Sequence, residues 1–188
     1  MSVLPDPASV AGLLEGRRTI HDFRPEPVPR ETVLKAIELA CWAPNHRMTE
    51  PWRFYLLGPE TVAGIIHLNA QQIAAAKGPK VARAKAERWG RIPGWLVLTC
   101  ANSDDPVQSR EDLAACACAA HNLSLYLWSE GIGVKWTTGV VTRMAEFYDL
   151  IWADPQAETV VGMFWYGYPL EVPQTARRPV GEVLVQLP

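Results

Sequence analysis

Two arginine pairs are candidates for binding an anion. The segment Arg17-Arg18-Thr19 follows a predicted helix, and a second pair, Arg177-Arg178, lies near the C-terminus. Forked guanidinium donors match the oxygen geometry of a phosphate group, and the hydroxyl of Thr19 would add a third donor. A pair of this kind at a helix C-terminus is more often a solvated surface that complements the helix dipole, so neither pair identifies a ligand by itself.

Two further segments could line a pocket. Residues 43–52 form a proline-bounded loop that carries His46 and ends in Trp52, and a rigid loop of this kind can border a ligand. The alternative, in which Trp52 is a core residue and His46 a surface one, fits the sequence equally well. The segment Trp136-Thr137-Thr138-Gly139 would offer amides and two hydroxyls at a strand end, and its glycine would let a ligand approach the backbone closely.

The sequence lacks the common signatures of a side-chain nucleophile or a nucleotide-binding loop. It has no G-x-S-x-G elbow, no Walker A loop and no G-x-G-x-x-G fingerprint, and its histidines match no triad signature. Cys116, Cys118 and His121 could suggest a metal site, but two thiols spaced C-x-C on a helix point about 200° apart and cannot easily share one ion. We therefore expect no metal site, buried reduced thiols at all four cysteines, and chemistry that belongs to a bound cofactor.

Hydrophobic periodicity predicts the elements that must position these residues. A helix that starts at Asp6-Pro7 leads to the first arginine pair, and a second helix carries apolar residues from Val33 to Cys41. A surface excursion of two helices spans residues 60–91 and is broken by Gly78-Pro79. Strands are predicted at 53–58, 95–101, 134–138 and 160–166, a helix face at 144–151 and the longest helix at 110–130. The pattern indicates an α+β fold of layered helices and strands.

The middle of the longest predicted helix, residues 114–120, consists of small residues. A helix that is small and apolar nearly all round is expected to be buried at a close helix–helix contact. We expect this contact to be a subunit interface.

Length and composition exclude several classes of protein. The chain has 188 residues, 48% of them hydrophobic and 20% charged, and shows no linker or repeat, so we expect residues 1–188 to form a single domain. A net charge of −2 with both signs interspersed argues against a nucleic-acid partner. No apolar stretch approaches the roughly 20 residues that cross a bilayer, and no signal peptide is evident, so a cytoplasmic protein without membrane contact is the default expectation.

In their order and spacing, these segments resemble the nitroreductase family of flavin-dependent oxidoreductases, in particular its smallest members. The matching segments are Arg17-Arg18-Thr19, residues 43–52, Asn122-Leu123 with Gly131-Ile132-Gly133 and Trp136, Gly167-Tyr168-Pro169, and Arg177-Arg178-Pro179. The resemblance covers nearly the whole chain. It implies a central, mostly antiparallel sheet flanked by helices, and a long buried central helix at the interface of a homodimer that holds FMN.

The resemblance also implies roles for individual residues. The phosphate and ribityl end of FMN would be bound by Arg17, Arg18 and Thr19, with Arg177 and Arg178 closing around the phosphate. Trp42 and His46 would border the flavin of the other subunit. Trp136, Thr137, Thr138 and Gly139 would lie beside the isoalloxazine ring, where backbone amides could stabilise the reduced flavin.

The activity implied is hydride transfer from NADH or NADPH to flavin N5 and on to a nitroaromatic or quinone-like acceptor, in a ping-pong cycle without a catalytic side chain. The excursion at residues 60–91 would cover the flavin, with Trp89 or Arg91 touching substrate, although Trp89 could equally be a core residue. His21 and Glu50 stand where many members have arginine and glutamine. Two alternatives therefore stay open: another flavin reaction (dehalogenation, dehydrogenation or flavin fragmentation), and a flavin-binding dimer without useful catalysis.

Overall fold

The structure, a computed structural model, describes residues 4–188. Helices and strands alternate along most of this range, and short 3₁₀ turns occur at His46–Met48, Val140–Arg143 and Val180–Glu182. The α-helices are α1 (Pro7–Gly16), α2 (Arg30–Ala40), α3 (Pro59–Lys77), α4 (Pro79–Trp89), α5 (Pro106–Ser129) and α6 (Ala145–Ile151). The strands are β1 (Trp52–Leu56), β2 (Gly94–Ala101), β3 (Gly133–Thr137) and β4 (Glu158–Gly167).

The four strands form one antiparallel sheet in the order β1-β2-β4-β3. Strands β2 and β4 lie in the middle and are buried along most of their length. They are apolar nearly throughout, as expected for strands covered on both faces. The predicted α+β fold with a central antiparallel sheet is confirmed.

Helices cover both faces of the sheet and form two hydrophobic cores. On one face α2 and α5 pack against residues such as Leu98 and Phe164. On the other face the core includes α3, α4 and α6, and its centre is a cluster of three indoles, Trp89, Trp95 and Trp165, whose ring centroids lie 5.1–5.6 Å apart.

Helix α5 is the longest helix of the described residues, and its ends follow from local chemistry. The side chain of Asp105 accepts a hydrogen bond from the amide of Val107, and Pro106 occupies the first turn, so the helix starts four residues before the predicted position. Gly131 adopts a φ of 75°, and the amide of Ile132 donates to the carbonyl of Leu127 over 2.8 Å, which closes the helix.

A single chain buries only one side of α5. Cys116 and Ala119 are fully buried in the core, whereas Leu113 is 51% exposed and Ala114 and Cys118 are exposed on the opposite side. The sequence predicts that this helix is buried on nearly all sides, so its outer side would have to be covered by another molecule.

The expectation that all four cysteines are buried is wrong for two of them in the single chain. Cys100 and Cys116 lie in the core, but Cys41 and Cys118 are exposed. Cys41 follows α2 at the start of the loop, and Cys118 lies on the outer side of α5. The apolar residues that flank Cys41 and Cys118 in the sequence do not imply that these thiols are buried, because each of the two helices has a side that faces away from the core.

The excursion between β1 and β2 has the predicted form of two helices. Gly78 separates α3 from α4 with a φ of 86°, a conformation that favours glycine, and Pro79 starts α4. None of the helices within residues 4–188 is both long enough and apolar enough to cross a bilayer.

Candidate functional site

Arg17, Arg177 and Thr175 come together beside the end of α1. With Arg18, Leu14 and Glu15 they line a cavity of about 370 Å³. Arg17 caps α1 with an extended backbone, φ −61° and ψ 131°, which turns the chain out of the helix and towards the sheet. Partial burial, followed by the positive charges of Arg177 and Arg18, lowers the pKa of Arg17 below its ordinary value. The ion pairs among residues 4–188 include none of these arginines, so no carboxylate neutralises them at ion-pair distance, although Glu15 also lines the cavity.

The two arginines of the first pair differ in their contacts. Arg18 folds back onto the end of α1, where its Nη1 donates to the carbonyls of Glu15 and Arg17. Arg18 therefore caps the C-terminus of the helix and complements its dipole, which is the non-ligand role considered for this pair in the sequence analysis. Arg17 instead faces both the cavity beside Arg177 and a second cavity along the sheet, and is therefore the better placed of the two to bind an anion.

The second cavity, about 170 Å³ in volume, extends from Arg17 along β3 and is also lined by Thr19 and Trp136, with Val134 between them. Thr19 pairs with Val134, where the amide of Ile20 donates to the carbonyl of Val134 over 3.2 Å. This pairing extends the sheet edge and places the threonine beside the strand. The structure thus brings together the first arginine segment and the strand that were separate motifs in the sequence.

Helix α5 contributes residues to this cavity that the sequence reasoning did not assign to it. His121 and Ser124 both line it, and they are three positions apart, so they project from the same side of the helix. The sequence suggests His121 only as a candidate metal ligand or triad member and supports neither role, and the described residues contain no group of three or more potential metal ligands. The helical spacing of the two polar residues was the available signal for a site on α5.

The indole of Trp136 is fixed in place by β4. Its Nε1 donates to the carbonyl of Val161 over 3.2 Å, and its ring lies 5.2 Å from that of Phe164. Gly162 makes this possible, because a Cβ at that position would overlap Nε1. Trp136 remains 42% exposed, so a rigid aromatic surface is available beside the cavity.

The backbone after β3 has unused hydrogen-bonding capacity. Neither Thr138 nor Gly139 donates its amide to another residue within 4–188, although the carbonyl of Gly139 accepts from both the amide and the hydroxyl of Thr142. The space around Gly139 is open for 4 Å in the direction of an added Cβ. Thr137 is half-buried and Thr138 is exposed. This strand end can therefore receive a ligand that carries hydrogen-bond acceptors.

Trp42 and His46 lie apart from this arrangement within one chain. Trp42 is 80% exposed, His46 is also exposed, and neither lines the cavities around Arg17. Arg178 is exposed and lines neither cavity. The single chain therefore assembles Arg17, Thr19, Trp136 and Arg177, with Arg18 at the margin, and leaves the loop residues facing outwards.

The two residues expected to touch substrate have different environments. Trp89 is only 5% exposed within the three-indole cluster, which favours the alternative that it is a core residue. Arg91 lines a separate cavity of about 390 Å³ together with His21 and Arg88, so it can meet a ligand, but on a part of the surface distinct from the cavity beside Trp136.

Comparison with known proteins agrees with this geometry. The sequence model of the nitroreductase family matches residues 14–168. The chain belongs to the nitroreductase family. YfhC of Bacillus subtilis (strain 168), whose name marks it as a candidate NAD(P)H nitroreductase, is 32% identical over 171 residues, which are 88% of this chain and 87% of that protein.

Solved structures of this family share the fold over the full chain. A nitroreductase-like family protein from Bacillus cereus superimposes with a TM-score of 0.84 at 24% identity, covering 100% of this chain and 98% of that one. The FMN-dependent nitroreductase NfnB from Mycobacterium smegmatis, solved in complex with NADPH, has a TM-score of 0.77 at 18% identity and covers 97% of this chain and 100% of its own. The family and the fold inferred from the sequence are both confirmed.

Proposed function

We propose that this nitroreductase-family protein is an FMN-dependent oxidoreductase that takes hydride from NADH or NADPH and delivers it to nitroaromatic or quinone-like acceptors. The observation that carries the proposal is the cavity at Arg17 and Arg177, whose arginines take part in no ion pair among the described residues. Arg17 also lines a second cavity, which leads along β3 to an exposed indole. A phosphate joined by a polar chain to a flat ring is the kind of ligand that such a series of surfaces fits.

The arginines would hold the phosphate. Guanidinium groups that repel one another gain most when an anion lies between them, because the anion removes the repulsion and accepts their forked donors. Arg17 and Arg177 supply these donors, while the hydroxyl of Thr175 accepts a bond from Arg177 over 3.3 Å and helps to orient it. Arg18, Thr19 and Arg178 would complete the phosphate and ribityl contacts.

The end of β3 would hold the ring. Trp136 presents an aromatic surface, the amides of Thr138 and Gly139 are free to donate, and Thr137 lies next to them in the strand. FMN, when bound, supplies the two-electron chemistry by accepting hydride and passing it on. Amides that are already oriented can stabilise the negative charge of a reduced ring, because they need no rearrangement when that charge develops.

A homodimer is part of the proposal. The outer side of α5 exposes Leu113, Ala114 and Cys118, and α1 buries none of its residues in the single chain. Large aliphatic side chains of the C-terminal segment are also exposed, Val185 by 80% and Leu187 by 84%. These exposed apolar residues are the surface that we propose a second copy covers. In a second copy, Trp42 and His46 would reach the neighbouring flavin and help to exclude water from it.

The visible spectrum of the purified protein tests this function. We expect a yellow protein that releases FMN on denaturation, is bleached by NADH or NADPH without oxygen, and recovers its colour when menadione is added. A colourless protein that takes up no FMN when it is supplied in excess would overturn the proposal.

The same experiment tests two of the alternatives, flavin fragmentation and a flavin-binding dimer without useful catalysis. Bleaching without recovery, with loss of the flavin itself, would indicate fragmentation instead of acceptor reduction. Bound FMN that neither nicotinamide cofactor reduces would indicate a flavin-binding dimer without this catalysis. Each of these results would contradict the proposed acceptor reduction.

A further inference from the structure

The loop before β1 has an unusual backbone. Arg47, Met48 and Glu50 have φ angles of 57°, 53° and 44°, in the left-handed region that costs energy for residues other than glycine. Such a conformation persists only where surrounding interactions impose it. The short 3₁₀ turn His46–Met48 has no side-chain cap of its own, so those interactions must come from elsewhere.

Two kinds of hydrogen bond hold this loop. Within it, Asn45 accepts from the amide of Glu50 over 3.0 Å and donates to the carbonyl of Ala43 over 3.3 Å. The second kind connects the loop to the core: the hydroxyl of Thr49 donates to Oδ1 of Asp112 over 2.6 Å, between residues 63 positions apart in the sequence.

Asp112 is an unusual residue for the place it occupies. It lies on α5, is only 3% exposed, and takes part in none of the ion pairs among residues 4–188. A buried carboxylate needs donors, and the described side-chain hydrogen bonds give it one, the hydroxyl of Thr49.

Two thiols, Cys100 and Cys116, lie near Asp112. A hydrogen bond with Cys100 raises the pKa of Cys116, and burial and the neighbouring charges of Cys100 and Asp112 raise it further. Both thiols donate to backbone carbonyls, Cys100 to that of Ala101 and Cys116 to that of Thr99, so among the described side chains Thr49 alone donates to Asp112.

We propose that the hydrogen bond between Thr49 and Asp112 holds residues 45–50 in their strained form, and that Asp112 is therefore a positioning residue for the loop that carries His46 and follows Trp42. Its effect on flavin rests on the proposed function, because the loop would border the flavin of a second copy. Its effect on the loop itself does not depend on any ligand.

A protease assay tests the loop without flavin. Trypsin cleaves after Arg47, and cleavage of a folded protein follows the population of locally opened chains. We expect Thr49→Val, which removes the hydroxyl and keeps the shape, to cleave about tenfold faster at this bond, as expected for the loss of a charge-assisted hydrogen bond. Thr49→Ser keeps the hydroxyl and should stay within about twofold of the parent protein.

Two controls make the comparison specific. Rates for the same variants in urea give the intrinsic susceptibility of each sequence and are used for normalisation. Thr61→Val makes the same chemical change on α3, where Thr61 is half-buried and lines a different groove, and should leave cleavage at Arg47 unchanged. Equal normalised rates for the parent and Thr49→Val, or equal acceleration by Thr49→Ser and Thr49→Val, would overturn the role of the hydrogen bond.

Flavin titration tests whether the loop affects flavin binding. We expect the dissociation constant of FMN to rise about tenfold in Thr49→Val, with recovery in Thr49→Ser. An unchanged constant in a variant whose loop opens would show that the loop does not serve the flavin. If the parent protein binds no FMN at all, the proposed function fails, and the protease result still decides whether the hydrogen bond between Thr49 and Asp112 holds the loop.

Discussion

Arg17 is the side chain on which the proposed site depends most. It lies between two other positive groups and lines both cavities. Its charge is therefore unfavourable in the empty protein and favourable once an anion is bound. Removing this charge should therefore weaken anion binding without lowering the stability of the flavin-free protein, a combination that is not expected of an arginine with a purely structural role.

We expect Arg17→Gln to raise the dissociation constant of FMN by about 10–100-fold, the range for losing a hydrogen bond to a charged group. The same change should leave the melting temperature of the flavin-free protein unchanged or higher, because it removes charge repulsion. Calorimetric titration and thermal melting of the same samples measure both effects. Arg83→Ala, an exposed arginine on α4, is the control, and a large fall in the melting temperature of Arg17→Gln would contradict the interpretation.

Some residues of the candidate site could be predicted from the sequence and others could not, and the difference has a physical cause. Arg17 and Trp136 could be chosen from their motifs, whereas His121 and Ser124 could not, because they join the site only when α5 crosses the sheet beside Thr19. Trp89 shows the opposite limitation: a tryptophan in a surface excursion can be a ligand contact or a core residue, and only packing against Trp95 and Trp165 distinguishes the two.

At the scale of elements, β3 and β4 act together to position the proposed ring site. Gly162 of β4 leaves the space that the indole of Trp136 on β3 occupies. The periodicity of the sequence located both strands to within a few residues. It could not predict this contact, because a glycine within a strand is compatible with a bulge, a bend or a close approach.

We expect Gly162→Ala to displace the indole and to lower the free energy of unfolding by about 1–3 kcal/mol, the usual cost of overpacking, while also weakening FMN binding. Chemical denaturation and flavin titration measure the two effects. Gly12→Ala is a matched control in α1, where an added Cβ meets no atom within 4 Å, and it should stabilise the helix slightly. Equal stability of the parent and Gly162→Ala would show that the indole is free to move.

At the scale of the whole molecule, the single chain leaves one side of its longest helix, its first helix and its C-terminal segment exposed. Residue patterns indicated a small-residue interface on α5 but not its orientation, because small residues occur on both sides of this helix. The fold decides which side faces the core and which side remains for a second copy.

We expect Leu113→Glu to convert a dimer into a monomer and to reduce bound flavin. A charge placed in an apolar interface occurs twice in a symmetric dimer, and burying it unpaired costs about 3–5 kcal/mol. Sedimentation velocity and the ratio of FMN to protein measure these effects. Val81→Glu, on α4 and 47% exposed like the 51% of Leu113, should change neither, and a dimeric Leu113→Glu protein would place the interface elsewhere.

The cluster of Trp89, Trp95 and Trp165 gives the protein an internal optical reporter. These indoles are sealed from solvent, so their emission should be blue and should shift to the red only when the core opens. Trp152 is 93% exposed and should emit at longer wavelength from the outset, with quenching by dissolved iodide. Trp52, Trp128 and Trp136 lie between these extremes of exposure, so spectra recorded with and without iodide are needed to separate the signal of the core, which reports denaturation, from the signal of the surface.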